Sequence, residues 1–281
     1  MGKIHFHIDE VDWKTFSTKE WGPLRWKELL NREQGGSKEF VFGVAELPPG
    51  GKLPLHTHPQ AETDYILSGH GRIRIGPLKS VGLGPASAVY LIGEAPHSIE
   101  SFGPEPLRYL YTYACEKLGH TIELKLIDEG TEIRADIQDW IKSTRKRWVM
   151  HEEIGELLCF EPSKGYKVRG RRLFSLQHAN AREMKVGMFE MDPGIHYTLH
   201  YHDQPEIFYV VSGRGIFYAG NSALEAIPGV VFYVGSRVVH GADNLGEGLL
   251  RMYYLYGTET VGQESNWTPI EDVYTQVRRP K

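Results

Sequence analysis

The stretch "HYTLHYHDQPEIFYVVSGRG", residues 196–215, sets His196, His200, His202 and Glu206 close together and then enters an apolar, strand-like run ending in Ser-Gly-Arg-Gly. Residues i and i+2 of an extended strand face the same side, so His200 and His202 project together. Two residues span about 6.5 Å along a strand. That lets two imidazoles converge on one ion about 2 Å from each ring nitrogen. The competing reading is an exposed polar strand face, and the rest of the chain decides between the two.

The pattern occurs twice. Residues 47–76, "LPPGGKLPLHTHPQAETDYILSGHGRIRIG", align without a gap on residues 191–220, "MDPGIHYTLHYHDQPEIFYVVSGRGIFYAG". His56 falls on His200, His58 on His202, Glu62 on Glu206, Tyr65 on Tyr209 and Gly69 on Gly213, an offset of 144. Upstream, "FVFGVAEL" from Phe40 lies over "MKVGMFEM" from Met184. Downstream, at an offset of 143, residues 84–101 resemble residues 228–244, and His97 falls on His240. A strand-like run follows each of these histidines, with Arg108 over Arg251. The chain therefore reads as two copies of one β unit.

Both copies consist of short runs rich in Val, Ile, Tyr and Phe, broken by Gly and Pro, which predicts many strands closed into a barrel or sandwich. "SGHG" and "SGRG" read as hairpin turns. The expected organisation is an N-terminal extension over 1–37, a first barrel over 38–115, a connector over 116–165, a second barrel over 166–257 and a C-terminal extension over 258–281. Ile133, Ile137, Trp140 and Ile141 stand at helical spacing in the connector, which is expected to prop one barrel on the other. Pro59 and Pro205 precede the glutamates, and a bend there would return each carboxylate to its imidazoles. His97 and His240 come from later strands, which only a closed sheet brings to the same spot.

The pattern HxHxxxExxxxxxG with a later lone histidine, present twice, resembles the two motifs of the cupin superfamily, in the form called a bicupin. Gly50 and Gly194 upstream also match. The second motif departs from the family: its usual proline and glycine before the histidine are replaced by Ile92 and Glu94 in copy one and by Gly235 and Arg237 in copy two, while Asn244 is kept and Ser101 is not. The resemblance implies two tandem jelly-roll β-barrels. It also implies two metal centres, His56, His58, Glu62 and His97 in one and His200, His202, Glu206 and His240 in the other. Each would bind a divalent transition metal (iron, manganese, nickel, zinc or copper), with two positions left for substrate, water or dioxygen. The carboxylate tilts the choice towards manganese or iron.

The function this implies is that of a metal-dependent enzyme acting on a small, polar, oxygen-rich substrate. A dioxygenase is the first expectation. A sugar or keto-acid isomerase, a decarboxylase or other lyase, and an aminohydrolase are alternatives. A non-catalytic, metabolite-binding cupin is the rival from another class, and eight intact ligands weigh against it. Catalysis is expected in the second barrel, where Glu206 could accept a proton and His196 and Tyr197 adjoin the ligands, in place of Lys52 and Leu53. Arg72 and Arg74 share one strand face and could clamp a carboxylate, although a solvated face is the simpler reading. His5 and His7 read as strand residues, not ligands. Tyr90, Tyr109, Tyr111, Tyr233, Tyr253 and Tyr254 read as packing, some lining a pocket.

Composition sets the remaining bounds. Hydrophobic residues make up 41% and charged residues 24% of 281, as in ordinary globular chains. No apolar run approaches the roughly 18 residues of a membrane span, and the N-terminus shows no signal-peptide core. Cys115 and Cys159 cannot form a disulfide framework, so a cytoplasmic protein is expected. With a net charge of −4, nucleic acid is not an expected partner. "KSTRKRW" reads as the cationic end of a solvated helix. The resemblance implies a homodimer, with residues 1–37 long enough to wrap a partner barrel.

Overall fold

The computed structural model describes residues 4–17, 22–76, 78, 80–115, 118–144, 147–258 and 267–270. It contains two jelly-roll barrels of antiparallel strands, each a seven-stranded sheet facing a five-stranded one. In the first barrel the large sheet runs in the order Val149–His151, Ser87–Leu91, Glu62–Ser68, Leu107–Ala114, Phe40–Leu47, Leu24–Leu30, Lys14–Phe16. Its small sheet runs Lys125–Leu126, Lys52–Thr57, His97–Phe102, His70–Ile75, Val81–Leu83. The second barrel repeats this order. Its large sheet is His5–His7, Val230–Val234, Glu206–Ser212, Leu250–Gly257, Met184–Met191, Val168–Phe174, Glu156–Cys159, and its small sheet is Thr268–Pro269, His196–Tyr201, His240–Asn244, Gly215–Ala219, Ser222–Ala226.

The segments that the sequence reading set outside the barrels belong to them. Leu24–Leu30 is an interior strand of the first large sheet, paired on both sides. His5–His7 pairs with Val230–Val234 of the second barrel, whereas Lys14–Phe16, just after it, pairs within the first. The connector mirrors this: Val149–His151 pairs with Ser87–Leu91 of the first barrel and Glu156–Cys159 with Val168–Phe174 of the second. Each barrel thus gains an edge strand from a segment that continues into the other. These edge strands are only three or four residues long, too short to carry a periodic signal.

The large sheets pack back to back. Phe42 of the first meets Tyr209 and Tyr253 of the second at ring-centroid distances of 6.1 and 6.5 Å, and Tyr65 meets Tyr253 at 5.3 Å. These residues belong to one apolar core shared by the first barrel and the face of the second packed against it, while residues such as Phe208, Phe217 and Phe232 form a separate core in the second barrel. The connector helix, Ala135–Ser143, buries Ile137 and Trp140, as its periodicity predicts. Trp140 Nε1 donates to Ala179 O, 2.8 Å away, which ties the helix to the segment leading into the second barrel. Lys142 lies in its last turn, while Arg145 and Lys146 lie outside the described residues. Among the described residues no helix is long and apolar enough to cross a membrane.

Gly43 and Gly187, in register-equivalent strands, allow close approach inside the barrels. A Cβ on Gly43 would stand 2.1 Å from Lys27 O and 2.5 Å from the Tyr111 hydroxyl; one on Gly187 would stand 2.4 Å from Arg171 O and 2.6 Å from the Tyr254 ring.

Candidate metal centres

The antiparallel pairing of His97–Phe102 with Lys52–Thr57 sets His97 opposite His56, and that of His240–Asn244 with His196–Tyr201 sets His240 opposite His200. In each barrel the three imidazoles present nitrogens within 4.8 Å of one another, and all six rings are buried. Ring-centroid distances agree closely: 4.2, 5.1 and 6.0 Å for the pairs His56–His97, His58–His97 and His56–His58, and 4.2, 4.9 and 5.9 Å for the equivalent pairs of the second barrel. The glutamate arrives from the opposite sheet. Glu62 Oε2 lies 2.9 Å from His58 Nε2 and 3.2 Å from His97 Nε2. Glu206 Oε2 lies 3.1 Å from His202 Nε2 and 3.3 Å from His240 Nε2.

The outer nitrogens show what these sites hold. Each Nδ1 is 2.8–2.9 Å from a main-chain carbonyl: Pro54, Gln60 and Ala95 in the first barrel, Thr198, Gln204 and Val238 in the second. A carbonyl only accepts, so every Nδ1 donates, which fixes the tautomer and turns the Nε2 lone pair inwards. Those lone pairs face a carboxylate oxygen, and His240 Nε2 makes no hydrogen bond there. Two acceptors at this distance require a cation or a proton between them. Three neutral imidazoles and a carboxylate suit a divalent transition metal, and these are metal sites.

Electrostatics agree with that reading. Burial, then the proximity of His97, pushes His56 down to about 3. Burial and His240 likewise hold His200 well below the usual histidine value. Burial pushes the Glu62 and Glu206 carboxyls up, but in the metal-free protein a proton held between each carboxylate and His58 with His97, or His202 with His240, outweighs it and leaves both below the usual carboxylate range.

The departure from the family's second motif has a backbone counterpart. Glu94 and Arg237 stand at φ +64° and +60°, a left-handed conformation that costs a side-chain-bearing residue about 1–2 kcal/mol. Each donates its N–H to the carbonyl of a ligand histidine, Glu94 to His58 and Arg237 to His202, at 2.8 Å. The tight turn is kept without glycine, and the third histidine follows three residues later.

The first barrel holds a half-open cavity of about 430 Å³ lined by His56, Glu62 and His97. Asp64, Glu28, His120, Trp26, Tyr109 and Tyr111 contribute to its wall. Burial, then Glu62, pushes the Asp64 carboxyl well above its usual value, and Asp64 Oδ1 has no hydrogen-bond partner. Burial above all raises the phenols of Tyr109, Tyr111 and Tyr113. His120 is lowered by burial and then by Arg32, and its Nε2 is unpartnered.

The remaining sequence expectations fall as follows. Tyr197 is buried with its ring 4.7 Å from that of His200. His196 is half-exposed and its Nδ1 bonds Asp243 at 2.5 Å, so it does not join the ligands. A register shift between Tyr197 and His200 breaks the strand's simple alternation. Trp267 also stacks on His200, at 5.2 Å; the rest of the C-terminal extension, residues 259–266 and 271–281, lies outside the described residues. Arg72 and Arg74 pair with Glu100 and Glu129 and do not line the cavity. His7 bonds Pro228 O and Asp9 N, away from both centres. Sequence reasoning missed Asp64, Glu28, His120 and Trp26. Only Asp64 carried a signal, since it stands two residues after Glu62 and shares its strand face.

Known proteins resemble the chain at two levels. The family model described as "Cupin domain" matches residues 43–113 and 187–256. A dimethylsulfoniopropionate lyase of Ruegeria pomeroyi is 35% identical over 95 residues, which are 34% of this chain and 60% of the lyase. An uncharacterised protein of Streptomyces coelicolor is 34% identical over 74 residues, 26% of this chain and 70% of that one. Among solved structures, oxalate decarboxylase from Bacillus subtilis at pH 4.6 superposes with a TM-score of 0.71 at 16% identity, covering 96% of this chain and 79% of the enzyme. A variant of that enzyme gives a TM-score of 0.72 at the same identity, covering 96% and 80%.

Proposed function

This chain belongs to the cupin family, each of its barrels gathers three buried histidines that could hold a metal, and from that premise we propose that it is a metal-dependent lyase acting on a small carboxylate in its first barrel. The observation that carries the reading is the cavity: it brings the ligand cluster, a set of proton-bearing side chains and an apolar wall into one half-open space. A pocket of this size suits a small molecule. The lyase named for dimethylsulfoniopropionate and the decarboxylase named for oxalate both act on carboxylates, which supports the reaction class over the oxygenase expected from the motifs.

His56, His58, Glu62 and His97 would hold the metal, which when bound supplies a Lewis acid to a substrate oxygen. The chain's own residues account for the rest. The apolar wall keeps water from the reacting carbon. His120 presents an unpartnered Nε2 on a ring that burial keeps neutral, and so acts as the proton acceptor. The buried phenols stay protonated and orient the substrate. We place turnover in the first barrel instead of the second because His196 is engaged by Asp243 and Tyr197 packs on Phe189 and His200.

The test is incubation of the metal-loaded protein with a panel of small carboxylates under strict anaerobiosis, with products followed by proton NMR. Undiminished product formation without oxygen is the expected result. Product that appears only with dioxygen would return the reading to an oxygenase.

A further inference from the structure

We propose that the second barrel holds its metal as a sealed, structural site with Trp267 as the cover, while the first barrel's site stays open to exchange. This role does not depend on which reaction the first barrel performs. The two histidine clusters match closely in geometry, so the difference lies in what surrounds them. Ala45, Leu53, Asp64, Ile73 and Leu124 line the cavity of the first barrel. Strand register sets Phe189, Tyr197, Phe208 and Phe217 where the first barrel has Ala45, Leu53, Asp64 and Ile73. Trp267 stands where it has Leu124. At every one of these positions an aromatic ring replaces a smaller side chain.

The rings pack on one another and on the ligands. Phe189 lies 4.9 Å from Tyr197 and 6.2 Å from Phe208, and Phe208 lies 5.1 Å from Phe217. Tyr197 is 4.7 Å from His200, and Phe208 and Phe217 are 6.1 and 6.3 Å from His240. These four rings are at most 5% exposed. An interior packed in this way excludes a substrate, and a metal site that admits no outside molecule is of the structural kind.

Trp267 covers the side that remains. Thr268–Pro269 pairs with Tyr201 and His200, and Ile270 N donates to Leu199 O at 2.9 Å. This sets the Trp267 ring 5.2 Å from that of His200, and its indole N–H donates to the Tyr197 hydroxyl. The ring itself is 36% exposed, so it stands between the ligand and solvent. In the first barrel Lys125–Leu126 makes the same pairing with Thr57 and His56, and Ile127 N donates to Leu55 O at 3.0 Å. The residue before that pair is Leu124, and the cavity persists beneath it. The backbone is alike in the two barrels, and the side chain it carries differs. Release of an ion from the second site therefore requires a local opening that lifts Trp267 or unpacks the rings behind it.

The experiment follows zinc release from the full-length protein, loaded to two ions per chain, after mixing with an excess of the chromogenic chelator 4-(2-pyridylazo)resorcinol. Two phases of one ion each are expected, at least about tenfold apart in rate. Glu62→Ala should lose the fast phase and Glu206→Ala the slow one. Trp267→Leu, which copies the first barrel, should speed the slow phase at least about tenfold and leave the fast phase as it was. Leu124→Trp should slow the fast phase at least about threefold, and it covers the case in which Trp267→Leu fails to fold. Protein recovered after the fast phase alone should melt close to the fully loaded form, and protein stripped of both ions well below it. A single phase, loss of the fast phase in Glu206→Ala, a release profile that neither Trp267→Leu nor Leu124→Trp alters, or melting that falls mainly with the fast ion would each overturn the proposal.

Discussion

Asp64 and Phe208 occupy the same position in the two barrels. Each stands two residues beyond the ligand glutamate, with Asp64 paired to Val89 and Tyr111 and Phe208 to Phe232 and Tyr254 at equivalent points of the sheet. A carboxyl faces one metal site and a phenyl ring the other. The ligand sets are nearly superimposable, so whatever separates the barrels chemically comes from these neighbours.

The first prediction concerns occupancy. Loss of one of four ligands should empty a site, so metal per chain should fall by about half in Glu62→Ala and in Glu206→Ala, as read by elemental analysis. Turnover should drop at least about a hundredfold in Glu62→Ala and much less in Glu206→Ala. A larger loss in Glu206→Ala would place the reaction in the second barrel.

His120 is the second target. Removing a proton acceptor commonly costs about 10²–10⁴ in rate, so His120→Ala should lower kcat by at least about 100-fold with metal content and melting temperature unchanged. A normal kcat in a metal-replete variant would remove His120 from the mechanism.

Acid should destabilise the metal-free protein in two stages. His56 titrates near 3 in the folded chain against about 6.5 when unfolded, and His200 is lowered likewise. The unfolded state therefore binds more protons below about 6.5, and stability is lost as pH falls through that range. Glu62 and Glu206, also lowered, add a further loss once pH falls below about 4.5. The His56 shift alone corresponds to a contribution on the order of a few kcal/mol. Urea midpoints measured from pH 8 to pH 4 after chelation should decline from about pH 6.5 downwards, and a flat profile would contradict the neutral, buried state of the imidazoles.

Packing at Gly43 gives a fourth prediction. A Cβ there meets Lys27 O at 2.1 Å, and overpacking of this kind costs about 1–3 kcal/mol. Gly43→Ala should lower the urea midpoint accordingly, while Gly82→Ala, where nothing lies within 4 Å of the new atom, should change it little.

The two clusters of three histidines were legible in the sequence because strand alternation is local and the chain states it twice. The cavity wall was not, because its members come from separate strands and a loop that no motif links: Glu28 and Trp26 from one strand, Asp64 from a second, Tyr109 and Tyr111 from a third, His120 from beyond it. The placing of His196 was hidden for a related reason. Alternation carries it to the ligand side only if the strand is regular, and the register shift between Tyr197 and His200 removes that condition. The helix over Ala135–Ser143 was readable from its apolar spacing, whereas Val149–His151 and His5–His7 offer three residues each, and their partners lie in distant sequence.

The crossing of those two short strands has a consequence for how the chain can be divided. A cut anywhere between the barrels leaves the N-terminal piece holding an edge strand that completes the other piece, and the C-terminal piece without it or with the wrong one. Severed halves would have open sheet margins at Ser87–Leu91 or Val230–Val234, and each margin is complementary to a segment of its twin. The unit of folding is thus the interlocked pair: two jelly rolls related as the partners of a strand-swapped dimer, made permanent by one continuous backbone.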